Sequence, residues 1–255
     1  MIANYWLIEL ACMFNESGTA DDSSIEFINS LEEKSCGYLI LTDKTTGNRE
    51  SIAAALRNVG CRHISSEHIY TSLTAAIDSI AARCPQKNRA GCLGGKGMKQ
   101  TLRDAGFQVD GSDADWVFVG TDRNAAFSDY SYLLSLLQKG ASLIELDSSP
   151  RELYQGRWVP GPGAVVSMLE AASGKKAVSF AQPCKTVIQR AMRRLNALKD
   201  ETVLVSDDLN KAIRAGIAAE VKTAWLMGDE ELPENILKSE MKPTYVIHDL
   251  SGLMR

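Results

Sequence analysis

The chain has 255 residues, of which 45% are hydrophobic and 24% charged, and its formal net charge at pH 7 is -4. A chain of this length buries a core large enough to fold without disulfides or a structural metal. The composition excludes intrinsic disorder, and the mild acidity excludes the strongly basic surface of a nucleic-acid-binding protein. We therefore expect small-molecule or protein partners and no nucleic acid.

Cysteine and histidine spacing gives little support for a disulfide framework or a zinc site. The six cysteines form no Cys-x-x-Cys pair, and the three histidines are scattered along the chain, so we expect reduced thiols. No apolar run reaches the roughly 18 residues that a membrane-spanning helix needs. Residues 1–12 are apolar but contain Glu9 and lack a basic leader, which favours a buried strand over a signal peptide and predicts a cytoplasmic protein.

Short apolar runs alternate with amphipathic stretches along the whole chain. This is the pattern of an α/β protein whose parallel strands are covered by helices. In chain order the predicted elements are strand 5–10, helix 24–33, strand 37–41, helix 49–59, strand 116–119, helix 130–137, strand 142–146, helices 163–172 and 186–198, and strands 202–205, 223–226 and 245–247. Asn48 and Ser128 are predicted to cap the helices that follow them.

Two stretches of small and polar residues, 71–75 and 173–176, suggest domain boundaries. They predict a discontinuous domain of residues 1–72 and 175–255. Residues 73–174 would form an inserted domain, after which the chain returns to the sheet that it left.

Two motifs are better explained by structure than by function. The glycine-rich segment 91–97 does not match the phosphate-loop motif, because Gly97 stands where Ser or Thr is needed and Ala90 where the first glycine belongs. The basic segment 190–199 shares a helix with an apolar stripe that begins at Ile188, so its arginines are predicted to form the solvated face of a packed helix. The four tryptophans are expected in the core.

Several segments occur in a distinctive order: Gly-Thr-Asp-Arg at 120–123, Pro-Gly-Pro-Gly at 160–163, Leu-Glu-Ala-Ala-Ser-Gly at 169–174 and Lys-Pro-Thr-Tyr-Val-Ile at 242–247. Together they resemble the haloacid dehalogenase (HAD) superfamily, and specifically its NagD-like, nitrophenylphosphatase-like branch. The resemblance covers essentially the whole chain. It implies a Rossmann-like core domain with a parallel sheet and an inserted α/β cap domain.

The chemistry of that family uses a strand-end Asp-x-Asp-Gly-Thr motif. Its first aspartate attacks phosphorus and its second serves as general acid and base. The matching run here is Glu-Leu-Ala-Cys-Met at 9–13. Glu9 keeps a carboxylate, but its extra methylene displaces the nucleophilic oxygen from an in-line geometry. Ala11 cannot transfer a proton.

Two further motifs are only partly preserved. Thr42 matches the hydroxyl residue that holds a phosphate oxygen. The neighbouring Asp43 and Lys44 are candidate ligand-binding residues. Lys44 is equally well explained as a solvated loop lysine. Gln182 stands where the family has a lysine before proline, and it brings no charge to the site. Glu9, Thr42 and Gln182 are therefore degenerate catalytic positions.

The acidic motif that holds magnesium corresponds to residues 206–212. Asp207 is retained, whereas Ala212 replaces the second acidic residue and Lys211 stands beside it. Glu9 and Asp207 are the predicted metal ligands, so Mg²⁺ is a candidate cofactor.

Two hypotheses about function remain open. The first is a catalytically impaired protein of the phosphatase fold, a pseudoenzyme that binds a small phosphorylated or anionic ligand or assembles with a protein partner. Lys211, Gly161 and Gly163 are then further ligand-binding candidates. The second is a slow Mg²⁺-dependent phosphatase acting on a small phosphorylated metabolite, with Glu9 as nucleophile or base. The resemblance also implies a homodimer formed through the cap. The lack of a long apolar run predicts no membrane contact.

Overall fold

The computed structural model describes residues 3–14, 18–44, 48–228 and 242–254. Contacts between residues divide the chain into unit 1 (residues 1–42, 49–70 and 183–255) and unit 2 (residues 43–48 and 71–182). Unit 2 extends past the predicted boundary at residue 174, because strand β10 (Val178–Ser179) pairs in parallel with a strand of that unit.

Unit 1 is built on a parallel sheet. Its strands are β1 (Tyr5–Glu9), β2 (Gly37–Thr42), β3 (Ile69–Thr71), β11 (Thr202–Ser206), β12 (Lys222–Leu226) and β13 (Tyr245–Ile247). They lie in the order β13-β12-β11-β1-β2-β3, and β1 pairs in parallel with both β2 and β11. Trp6, Leu7 and Ile8 of β1 are fully buried, as expected for a central parallel strand covered on both faces.

The described part of unit 1 has four α-helices, which pack beside this sheet: α1 (Asp22–Glu33), α2 (Arg49–Asn58), α7 (Lys185–Leu195) and α8 (Arg214–Ala218). Helix α1 begins after Asp21, whose side chain accepts a hydrogen bond from the Ser24 backbone N–H at 3.1 Å and satisfies a donor that the helix leaves open. Its apolar face brings Phe27 edge-on to Trp6, with 5.0 Å between the ring centroids. This contact anchors α1 to the central strand.

Unit 2 is a second α/β unit with its own parallel sheet. Its strands β4 (Arg89–Leu93), β5 (Gln108–Val109), β6 (Trp116–Val119), β7 (Ser142–Glu145) and β10 lie in the order β10-β7-β6-β4-β5. Its helices are α3 (Ser72–Arg83), α4 (Lys96–Asp104), α5 (Phe127–Gln138) and α6 (Pro162–Ser173). An antiparallel hairpin, β8 (Arg151–Tyr154) and β9 (Arg157–Pro160), completes it. The predicted α/β class is confirmed.

The predicted cap of α5 is wrong. The helix begins at Phe127, before Ser128, and the Asp129 carboxylate accepts a hydrogen bond from the Ala126 backbone N–H at 2.7 Å. The carboxylate of Asp129, in the first turn of the helix, therefore provides the cap that was predicted from the Ser128 hydroxyl.

Two predictions about exposure are also wrong. Arg190 is buried, because its position on α7 shares a face with the buried Val187, three residues earlier. Trp158 is 62% exposed, because it lies in the two-stranded hairpin and not in the parallel sheet of unit 2. Among the described residues, no helix combines the length and the hydropathy that a bilayer span requires.

His68 forms a half-buried cluster in unit 1. Its ring stacks on Tyr38 with 4.5 Å between centroids, and Nε2 lies 3.6 Å from the Glu32 carboxylate. Its Nδ1 accepts a hydrogen bond from the Ser65 backbone N–H at 3.0 Å, so protonation there would remove an acceptor. Burial lowers the pKa of His68 below its ordinary value, although the charges of Glu32 and Glu67 oppose the shift.

We predict that acidification destabilises unit 1 through His68. Because the folded-state pKa is lowered, the unfolded chain binds more protons below the ordinary histidine pKa of about 6.5, and the free energy of unfolding rises with pH there. The stabilisation is complete above that value and is lost as the pH falls through the folded-state pKa. Urea unfolding between about pH 7.5 and 5.5 should show a smaller pH dependence for His68→Gln. The exposed His63 gives a control, His63→Gln, and an equal pH dependence in all three proteins would contradict the prediction.

Candidate functional site

The carboxyl ends of β1 and β11 meet where the strand order of the unit 1 sheet reverses. β1 has β2 and β3 on one side and β11, β12 and β13 on the other. Ligands of open α/β sheets bind in the crevice outside such strand ends. The pairing of Ile8 with Val205 brings Glu9 level with Ser206 and next to Asp207.

Ser206 holds the Glu9 carboxylate in place. The Ser206 hydroxyl donates a hydrogen bond to Glu9 Oε2 and accepts one from the Asp208 backbone N–H at 2.9 Å. Glu9 is half-buried and Ser206 is fully buried. A single buried hydroxyl therefore ties the end of β1 to the loop that follows β11.

The thiol of Cys12 points to the same place. A 3₁₀ turn over Leu10–Met13 follows β1, and ligand atoms of Glu9, Cys12 and Asp207 lie within 4.8 Å of one another. Burial raises the pKa of Cys12 well above its ordinary value, and the charges of Asp207 and Glu9 add to the effect. A thiol in these surroundings is protonated and is a poor nucleophile.

The two carboxylates fit the divalent cation that the resemblance implies. Mg²⁺ takes oxygen ligands in octahedral geometry and keeps several waters, and Glu9 and Asp207 would hold it by one oxygen or more each. The Ala11 carbonyl, two residues after Glu9, accepts a hydrogen bond from the Phe14 N–H at 3.1 Å. The Cys12 thiol does not suit Mg²⁺, which prefers hard oxygen donors.

Thr42 and Lys211 are placed on elements that border this crevice. Thr42 ends β2 and follows Leu41, the pairing partner of Glu9, and it is buried. Lys211 lies in a short helical turn, Leu209–Ile213, with an exposed side chain. Their proposed contacts with a ligand stay predictions.

Three other predicted site residues belong to unit 2: Asp43, Lys44 and Gln182. Asp43 and Gln182 are half-buried, and Lys44 is exposed. Their roles toward a ligand stay predictions. The neighbouring residues 45 and 46, part of the same predicted loop, lie outside the described residues.

Close packing explains the glycines at the start of α6. The Gly161 N–H donates to the Pro150 carbonyl at 3.1 Å, and the Gly163 N–H donates to the Ser149 carbonyl at 3.0 Å. A Cβ atom at Gly163 would lie 2.4 Å from the Ser148 carbonyl oxygen, which is too close for any side chain. Both amides are thus used within unit 2, and ligand binding by these glycines stays a prediction.

A cavity of about 320 Å³ lies in unit 2 beside the carboxyl ends of β4 and β6, and Gly161 contributes to its wall. The Arg123 side chain, also in the wall, donates to the Glu152 carboxylate at 2.8 Å and stacks 4.4 Å from the centre of the Tyr154 ring. The Thr121 hydroxyl donates to the other oxygen of Glu152 at 2.8 Å. The positive charge of Arg123 beside this cavity is therefore paired with Glu152.

Two family models match the chain over most of unit 1 and part of unit 2. A model of haloacid dehalogenase-like hydrolases matches residues 13–108, and a HAD-hydrolase-like model matches residues 180–253. The chain belongs to the haloacid dehalogenase superfamily.

The 5'-nucleotidase YutF of Bacillus subtilis is 26% identical over 249 residues, covering 96% of this chain and 95% of that protein. An acid sugar phosphatase of Staphylococcus saprophyticus is 24% identical over 251 residues, covering 98% and 96%.

Solved structures of superfamily members place the chain in the NagD-like branch. A double mutant of the thermostable NPPase from Geobacillus stearothermophilus superposes with a TM-score of 0.87 at 25% identity and covers 98% of this chain and 97% of that one. NagD from E. coli K-12 superposes with a TM-score of 0.86 at 21% identity and covers 98% of each chain. The predicted architecture, a HAD core with an inserted α/β cap, is confirmed.

Two residues of this HAD site were not singled out from the sequence. Ser206 stands where the family motif has glycine, and Cys12 likewise replaces the glycine of the first motif. Both substitutions add a polar side chain where the family has none. That chemical difference was visible in the motif itself and could have marked both residues.

We predict that Gly163→Ala destabilises unit 2 by roughly 1–3 kcal/mol, because the added methyl would overlap a backbone carbonyl. The matched control is Gly95→Ala, since Gly95 also precedes or begins a helix of unit 2 and a Cβ there would meet nothing within 4 Å. The measurement is the urea midpoint of each variant. Equal midpoints for the two variants would show that packing does not require glycine at 163.

Proposed function

We propose that this protein is a slow, Mg²⁺-dependent phosphoric monoester hydrolase that acts on a small phosphorylated metabolite. The observation that carries the proposal is the pair of carboxylates, Glu9 and Asp207, brought together at the strand-end crevice of unit 1. The relatives named above, matched over almost their full length, are called nucleotidase and acid sugar phosphatase. These names support hydrolysis and give no support to the pseudoenzyme hypothesis.

Glu9 is the proposed nucleophile, or the base that activates a water. Its side chain is longer than aspartate, and the hydrogen bond from Ser206 restricts the position of one carboxylate oxygen. Restricting that freedom favours the approach of the carboxylate to phosphorus. The Thr42 hydroxyl, on the adjacent strand, is proposed to donate to a phosphate oxygen.

Ala11 and Gln182 make the proposed turnover slow. A positioned general acid contributes typically about 10²- to 10⁴-fold to such a reaction, and Ala11 cannot supply it. Gln182, at the position of the motif lysine, has no positive charge to offer a phosphoryl group. The rate then depends strongly on how stable the leaving group is as an anion.

The same two residues favour a second candidate function, which is the non-catalytic binding of a phosphorylated or anionic ligand or assembly with a protein partner. In that case Lys44 and Lys211 would provide donors and positive charge to the ligand. Homodimer formation and a cytoplasmic location are part of the proposal under either function.

The first prediction concerns phosphate release from p-nitrophenyl phosphate and a panel of phosphorylated metabolites, with and without Mg²⁺. We expect Mg²⁺-dependent turnover that falls by at least ~100-fold in Glu9→Gln, because the amide can act neither as nucleophile nor as base. The exposed Glu33 on α1 supplies the control variant, Glu33→Gln. Turnover that survives Glu9→Gln would point to a contaminating enzyme, and no turnover in the wild type would favour the second candidate.

A second prediction concerns the leaving group. The wild type should prefer aryl over alkyl phosphates more strongly than the double variant Ala11→Asp, Gln182→Lys does, because an alkoxide needs the proton that Ala11 cannot donate. We expect the ratio of the two kcat/KM values to fall by about 10-fold or more. Gln182→Lys alone is the control, since it restores charge but no acid. An unchanged ratio in the double variant would show that position 11 does not face the leaving group.

A further inference from the structure

A thiol lies beside the two carboxylates of the unit 1 crevice. Cys12 occupies the position where the family motif has glycine, so the donor that it adds belongs to this chain and not to the motif. Cys12 is 4% exposed, and its Sγ lies 3.8 Å from Asp207 Oδ1. The cluster therefore combines one sulfur and two carboxylate groups drawn from two neighbouring strand ends.

The spacing of these donor atoms fits a cation with tetrahedral coordination. Zinc bonds of about 2.3 Å to sulfur and about 2.0–2.2 Å to oxygen put the ligand atoms of one ion about 3.3–3.7 Å apart. The pair Cys12 Sγ and Asp207 Oδ1, at 3.8 Å, is close to this range. Glu9 contributes the third donor, with all three ligand atoms within 4.8 Å. Asp207 is exposed, so core packing does not fix the orientation of its carboxylate.

The backbone and side chains that carry these donors are held by other hydrogen bonds. Ser206 donates to the Glu9 carboxylate. The Ser24 hydroxyl donates to the Cys12 carbonyl at 3.2 Å, and Trp225 Nε1 donates to the Asp207 carbonyl at 3.1 Å. Such outer contacts orient ligands before the ion arrives and raise the affinity of metal sites.

We propose that Glu9, Cys12 and Asp207 form a cation site that binds Zn²⁺, and the zinc analogue Co²⁺, more tightly than Mg²⁺. Thiolate sulfur selects zinc-like ions, whereas Mg²⁺ is best served by oxygen donors alone. On binding, the Cys12 sulfur coordinates the ion and its proton passes to solvent. A water or a ligand oxygen would take the fourth position. The inference uses the cation site of the proposed function but does not depend on hydrolysis.

The test is the absorption spectrum of the full-length protein titrated with Co²⁺, because a thiolate bound to Co²⁺ gives a near-ultraviolet charge-transfer band that oxygen ligands do not give. We expect the band in the wild type, its loss in Cys12→Ser, and its retention in Cys84→Ser, where the half-buried Cys84 belongs to unit 2. Zn²⁺ affinity should fall by about 10-fold or more in Cys12→Ser, while Mg²⁺ affinity stays nearly unchanged.

A band that is absent from the wild type, or that persists in Cys12→Ser, overturns the proposal. If Cys12→Ser does not fold, as judged by circular dichroism, Asp207→Asn takes its place because Asp207 is exposed. That variant should lose about 10-fold or more in Co²⁺ affinity, and an unchanged affinity overturns the proposal. A protein that shows the band but no phosphate release would keep the cation site and refute the hydrolase, so the two failures are distinguishable.

Discussion

The parallel pairing of β1 with β11 is the constraint on which the site depends. Glu9 and Asp207 are separated by most of the chain, and only this pairing brings them to one edge of the sheet. Side-chain packing helps to fix the register: the alternate side chains Trp6 and Ile8 of β1 share one core cluster with Val203 of the neighbouring strand. A slip by one residue would turn these side chains to the opposite face and carry Glu9 away from Ser206.

The sequence predicted the elements of unit 1 better than those of unit 2, for a reason visible in β4 and α4. Strand β4 contains Ala90 and Gly91 instead of large β-branched residues, so it lacks the apolar run that marks a buried strand. The small residue is required there, since a Cβ at Gly91 would lie 2.3 Å from Leu136 of the covering helix. Helix α4 is mostly polar and buries only Met98 and Leu102. In β4, close packing requires small residues, so the run of large apolar residues on which pattern analysis relies is missing.

The sequence also predicted the site only in part. The motif resemblance predicted Glu9 and Asp207 as neighbours, because both follow central strands of a known topology. It could not predict the orientation of Cys12, which depends on the 3₁₀ turn after β1, nor the hydrogen bond from Ser206 to Glu9. Sequence spacing also gave zinc binding little support, because the three donors of the proposed site come from two segments that are distant in the chain.

The residues lost from the family motifs and those retained have different consequences for binding and for turnover. Ala11 and Ala212 remove two acids and Gln182 removes one positive charge, whereas Lys211 adds a positive charge beside Ala212. Loss of the lysine alone would have left several carboxylates uncompensated, which raises their pKa values and weakens their hold on a cation. The two carboxylates that remain, Glu9 and Asp207, lie close together and still attract an ion. Proton transfer to a leaving group has no such compensation, since no neighbouring change restores the carboxylate missing at Ala11. The combination therefore weakens catalysis far more than cation binding.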